Sequence, residues 1–153
     1  MKHLFFAPAI IFLLISCLGG TIGTETPGIP RIEGFRIVGY DVSSEEYVEK
    51  YTFYNSWDHR DLPYLEIIVY DDDLDINEIT IMLNNDAYPE GERNFIYQLY
   101  QSYNPQIYRY RIEVTQNAAA NQDNIWYLQF FVTDKNGKKS KTYTSSPFTV
   151  LPY

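Results

Sequence analysis

Ile125-Trp126-Tyr127-Leu128-Gln129-Phe130-Phe131-Val132-Thr133-Asp134-Lys135-Asn136-Gly137, residues 125–137, joins an alternating run to a turn. In an extended chain successive side chains point to opposite sides, so Trp126, Leu128, Phe130 and Val132 fall on one face and Tyr127, Gln129 and Phe131 on the other. The run therefore predicts a core strand with a partly apolar outer face. Asp134 to Gly137 ends it, with Asn136 and Gly137 expected to supply the positive φ angles of a tight hairpin.

The same period recurs upstream. Tyr108, Tyr110, Ile112 and Val114 alternate with Arg109, Arg111 and Glu113, a polar set expected to meet water; Ile79, Ile81 and Leu83 alternate with Glu78, Thr80 and Met82; Leu65, Ile67 and Val69 alternate with Tyr64, Glu66, Ile68 and Tyr70. A final strand over 138–150 is interrupted by Pro147, which predicts an edge position, where a missing N–H is tolerated. Two segments are compatible with either state. Ser43-Ser44-Glu45-Glu46 has the form of a capping box, yet Tyr47 to Tyr54 also reads as a strand, and residues 94–102 pose the same choice; strand is preferred for both. Tyr, at 15 of 153 residues and interleaved with Ile, Val and Phe, favours that choice. About seven short strands without a convincing long helix describe an all-β, antiparallel β-sandwich.

The pair YLEIIVYDDDLDINEITIML (64–83) and IWYLQFFVTDKNGKKSKTYT (125–144) resembles the second-and-third and the last two strands of bacterial immunoglobulin-like or fibronectin-type-III-like extracellular domains. The resemblance covers roughly half the domain and implies an immunoglobulin-like strand order. An antibody-type Cys…Trp…Cys core is absent from the sequence. Such folds host many functions, so activity has to be argued from sites.

The domain sits behind a leader. Met1-Lys2-His3 precedes about a dozen apolar residues, the anatomy of a secretory signal and too short a run to span about 30 Å of hydrocarbon comfortably. Leu14-Ile15-Ser16-Cys17 resembles the lipobox of bacterial lipoproteins. That resemblance implies cleavage after Ser16 and a diacylglycerol, with further acylation such as palmitate, on Cys17. Leu18 in place of Asp implies the outer membrane of the cell envelope by analogy with enterobacterial sorting. The expected organisation is a signal peptide over 1–16, a lipidated tether over 17–30 rich in Gly and Pro, and the sandwich over 31–153. The tether averages roughly 20 Å in span and reaches no farther than about 45 Å.

With Lys2 removed, 11 basic side chains stand against 20 acidic ones. A surface this acidic is repelled by phosphates, which argues against nucleic acid and leaves membrane attachment to the lipid. Cys17 is the sole cysteine, so disulfides, thiolate metal sites and a cysteine nucleophile are excluded from the mature domain. His59, in Trp57-Asp58-His59-Arg60-Asp61, is its one histidine, and nothing like a nucleophile elbow accompanies it, so the chain is not expected to be an enzyme.

Two groups of residues are candidates for binding. Asp71-Asp72-Asp73-Leu74-Asp75 places four carboxylates in five residues, and hard oxygen donors of this kind suit calcium. An immunoglobulin-like order brings this loop and the 134–137 turn to one end of the sandwich, which makes Asp71, Asp73, Asp75 and Asp134 the candidate calcium ligands. The plainer alternative is that each Asp caps its own turn. The second group is Met82, Tyr127 and Phe131, an interaction face on one sheet unless the Tyr-rich segment over 94–103 covers it, which is the preferred reading. The function expected is a membrane-tethered, non-enzymatic module for protein interaction, assembly or adhesion; the alternatives are a glycan-binding lipoprotein with an aromatic platform, and a small periplasmic hydrolase or enzyme inhibitor.

Overall fold

A computed structural model describes residues 28–55, 61–86, 92–114 and 125–152. Among them lie ten strands and no helix: β1 (Arg31–Asp41), β2 (Glu46–Glu49), β3 (Thr52–Asn55), β4 (Tyr64–Tyr70), β5 (Ile76–Asn84), β6 (Arg93–Gln98), β7 (Gln106–Arg111), β8 (Ile125–Asp134), β9 (Tyr143–Thr144) and β10 (Phe148–Pro152). They form a four-stranded sheet ordered β2-β1-β4-β7 and a six-stranded sheet ordered β3-β10-β8-β5-β6, with β9 also paired to β8. The all-β, sandwich-like architecture is the one that the alternating runs predict.

The alternation sets what is buried. Leu65, Ile67 and Val69 of β4, Ile79, Ile81 and Leu83 of β5, and Trp126, Leu128, Phe130 and Val132 of β8 belong to one buried cluster shared by both sheets. Phe35 of β1 meets Phe130 of β8 edge-to-face at 5.0 Å, tying the layers together. At the β6 and β7 side, Tyr97 stacks on Tyr110 across the two sheets at 4.8 Å, with Phe95 and Tyr108 extending the stack. This aromatic ladder closes that side of the core.

β1 is a strand that the alternation did not announce. Its pairing with β4 shifts register between Ile32 and Gly34. The bulge makes Glu33 an extra residue, so the core-facing Ile32, Phe35 and Ile37 are not evenly spaced by two. In the 43–54 segment residues 43–45 form a turn, with Glu45 at φ +57°, and the rest is extended as two short strands in different sheets. β2 pairs with β1, and β3 runs parallel to β10, with the crossing at Lys50 and Tyr51 fixed by Lys50 N–H to Ile37 O at 3.2 Å and Thr149 N–H to Tyr51 O at 2.8 Å.

Pro147 falls outside the ladder, in the break between β9 and β10, so its missing N–H costs nothing. The expected edge position is not what makes it tolerable, because β3 pairs with the far side of β10. Serines bridge the gaps around β9. Ser140 and Ser145 are buried; their Oγ atoms accept the Val132 N–H at 3.1 Å and the Leu128 N–H at 2.9 Å, while their own N–H groups donate to Val132 O and Leu128 O. In the β8 hairpin only Gly137 takes a positive φ, +80°, whereas Asn136 does not. Gly137 N–H donates to Asp134 O, and Asp134 N–H to Lys138 O. This is a three-residue loop with one left-handed position, in place of a two-residue turn with two.

Candidate functional site

At one end of the sandwich the β4–β5 loop, the β6–β7 loop and the β8 hairpin are fastened together. Lys135 N–H donates to Asp75 O at 2.9 Å and Asn136 Nδ2 to Asp75 Oδ2 at 2.8 Å, so the acidic loop and the hairpin meet as the sequence suggested. From the third loop, Asn104 clasps the Asp71 backbone: its Oδ1 accepts the Asp71 N–H at 3.0 Å and its Nδ2 donates to Asp71 O. The chain enters the domain beside them, where Lys138 Nζ donates to Gly28 O at 2.9 Å.

Asp71, Asp73 and Asp75 each offer a carboxylate oxygen within 4.8 Å of the others, the sole such convergence of metal-ligating side chains among the described residues. Asp71 is 1% exposed, and its Oδ2 accepts the Asp75 N–H at 3.0 Å. Burial pushes its carboxyl up to about 6, and the charges of Asp73 and Asp75 act in the same direction. Asp134, the fourth expected ligand, lies outside this group. Its Oδ1 accepts the Lys138 N–H at 2.8 Å, the ordinary role of an aspartate that starts a hairpin, while its Oδ2 is buried without a partner among the described residues.

The second candidate surface is the outer face of the six-stranded sheet. Met82 sits between Asn94 of β6 and Gln129 of β8, and Thr80 between Ile96 and Phe131. Met82, Tyr127 and Phe131 are all half-buried, as side chains in the middle of a sheet face with no described element above it are. The Tyr-rich segment expected to cover them instead contributes β6, hydrogen-bonded beside β5 in the same sheet, so it widens the face and adds Ile96, 63% exposed. Two of the aromatic groups are engaged. Tyr127 donates its hydroxyl to Asp86 Oδ1 at 2.9 Å, and Lys139 Nζ lies 4.8 Å from the Phe131 ring centroid.

A third feature went unrecognised in the sequence. On the outer face of the four-stranded sheet, Arg36, Glu66 and Arg109 form one cross-strand row. Arg36 reaches Glu66 Oε1 at 2.6 Å, and Arg109 donates to Oε2 from Nε at 3.0 Å. Burial raises the Glu66 carboxyl, but hydrogen bonds from Arg109 and Arg36 and their charges outweigh it, so its pKa is held below the usual value. The Arg109 guanidinium also lies 3.8 Å from the Tyr47 ring centroid. The residue types were visible, but Arg36 belongs to the irregular β1, and cross-strand neighbours are not apparent in a linear chain.

Chemistry has few other supports. Burial raises the Tyr108 phenol to about 12 and Tyr110 higher still, so neither supplies a base at neutral pH. His59 and Cys17 lie outside the described residues. No protein-family model matches the chain, and no curated protein matches it in sequence.

Proposed function

We propose that the chain is a lipid-anchored protein of the bacterial cell envelope, and that its sandwich is a non-enzymatic module binding a protein partner on the outer face of the six-stranded sheet. The observation that carries this reading is that face itself: Ile96 and Phe131 flank Thr80 in one cross-strand row, Met82 lies diagonal to both in the next, and no described element lies above them. A sheet face that mixes large apolar side chains with polar neighbours, here Thr80, Asn94, Gln129 and Tyr127, has the make-up of a protein interface. A glycan platform fits less well, because sugar rings stack on open aromatic faces and Lys139 already lies over the Phe131 ring.

Strand order supports the immunoglobulin-like reading. β1, β4 and β7 correspond to strands A, B and E, and β10, β8, β5 and β6 to G, F, C and C′. The Leu14 to Cys17 pattern supports the lipid anchor, and Leu18 the outer membrane. With Gly28 beside the acidic loops, a lipid on Cys17 keeps that end toward the bilayer and leaves the sheet faces free at the sides.

Site-directed photocrosslinking in intact cells tests the proposal. A photoreactive residue at Gln129 is expected to yield one discrete adduct with a protein, whereas the same group at Arg36, on the opposite outer face, yields none. No adduct at 129, or the same adduct from both positions, counts against the assignment.

A further inference from the structure

We propose that Asp71, Asp73 and Asp75 hold one calcium ion, and that the ion braces the β4–β5 loop at the end of the sandwich where the chain enters. An acidic cluster alone is ordinary surface chemistry. The difference here lies in buried carboxylate oxygens without a donor, two of them in the trio itself and a third, Asp134 Oδ2, in the adjoining hairpin. Asp71 is 1% exposed, and its Oδ1 is buried with no hydrogen-bond partner among the described residues. Asp75 repeats the pattern: its Oδ2 accepts Asn136, while its Oδ1 is buried without a partner. A carboxylate oxygen taken out of water and given no donor is costly, and a bound cation is one way that cost is met.

Among the described residues no side-chain cation pairs with the three carboxylates: Lys138 donates to Gly28 O, and neither it nor Lys135 makes an ion pair with them. The nearby N–H groups do not serve the two bare oxygens either, since those of Asp75 and Lys138 go to Asp71 Oδ2 and Asp134 Oδ1.

Donor chemistry selects the ion. All three groups are carboxylates, without nitrogen or sulfur, which excludes the softer transition metals by preference and leaves calcium or magnesium. Three carboxylates on one short loop, able to bind through one or both oxygens, suit the irregular 6–8 oxygen shell of calcium at about 2.4 Å. Magnesium demands a strict octahedron and gives up its waters reluctantly. Asp73, the exposed member, leaves an open approach for the ion and its remaining waters. Because Asp75 is bonded to the β8 hairpin and Asp71 to Asn104, an ion there reinforces the junction of three loops.

The test is thermal melting and calorimetric titration of the full chain purified in detergent, with calcium chloride, magnesium chloride, or sodium chloride at matched ionic strength. A dissociation constant of about 10⁻⁴–10⁻³ M, typical of extracellular modules, predicts a melting temperature about 4–12 °C higher in 10 mM calcium, with one ion per chain. Asp73→Asn is expected to melt normally in chelator and to lose the calcium shift, while Asp72→Asn, an adjacent acid outside the trio, keeps it. No shift in calcium, an equal shift in magnesium or sodium, or a full shift retained by Asp73→Asn overturns the proposal.

Discussion

Removing one hydroxyl, in Ser145→Ala, isolates a specific feature of this fold. The chain breaks its pairing with β8 between β9 and β10, and at the break the Ser145 Oγ takes the place of a backbone carbonyl by accepting the Leu128 N–H at 2.9 Å. Leu128 is fully buried on the central strand, so the alanine variant leaves an N–H with neither partner nor water. A stranded buried donor costs about 1–3 kcal/mol. The other bond lost, from Ser145 Oγ to Ser146 O, adds little if exposed Ser146 can find water. For a domain of this size the result is a melting temperature lower by roughly 3–15 °C. Ser140→Ala strands the Val132 N–H in the same way. Leu128 and Val132 are four residues apart on one strand, about 13 Å, so the two losses are expected to add in the double variant. Urea denaturation of both single variants, the double variant and a Ser146→Ala control measures this, and amide exchange at Leu128 locates it. A Ser145→Ala variant within 0.5 kcal/mol of wild type, with Leu128 still protected, refutes the idea that serine hydroxyls complete the β8 ladder.

Two further outcomes follow from other parts of the chain. Glu66 has a folded pKa below its unfolded value, so its contribution to stability is fully present above about pH 4.5 and is lost as pH falls through the lower folded value. Glu66→Gln is expected to remove that part of the acid dependence and to cost about 1–2 kcal/mol at pH 7, discounted because both arginines are substantially exposed; equal acid profiles for wild type and variant contradict it. Cys17→Ala is expected to shift the protein from the membrane to the soluble fraction, since two or three acyl chains hold a protein essentially permanently and none holds it at all; undiminished membrane retention in the variant argues against the lipid anchor.

The central strands were legible because their burial has an unbroken period of two: β4, β5 and β8 lie where Leu65, Ile79 and Trp126 begin their alternations. β1 was hidden by its bulge at Ile32 to Gly34 and by two glycines, Gly34 and Gly39, which carry no side chain to mark the pattern. The acidic loop was legible as a cluster of one residue type, but which aspartates converge was not. Asp134 was named with them because its loop does reach Asp75; its Oδ1 serves the hairpin, while its Oδ2 is buried without a partner among the described residues. The Arg36–Glu66–Arg109 row was invisible for a different reason: it is a property of three strands in register, and its members are spread over more than seventy positions. Whether the Tyr-rich segment lay over the sheet face or beside it depended on where residues 93–98 went, which side-chain pattern alone left undecided.

The most direct test of the binding-face reading is the affinity of the crosslinked partner for a Met82→Thr/Phe131→Thr variant, whose threonines keep the strands compatible with the sheet while removing the apolar contact. If this face carries the interaction, the dissociation constant rises at least about tenfold, the loss expected when central apolar contacts are truncated, while the purified variant retains its sheet signature and cooperative melting. An affinity within about twofold of wild type, in a variant that is demonstrably folded, would place the interaction elsewhere on the molecule.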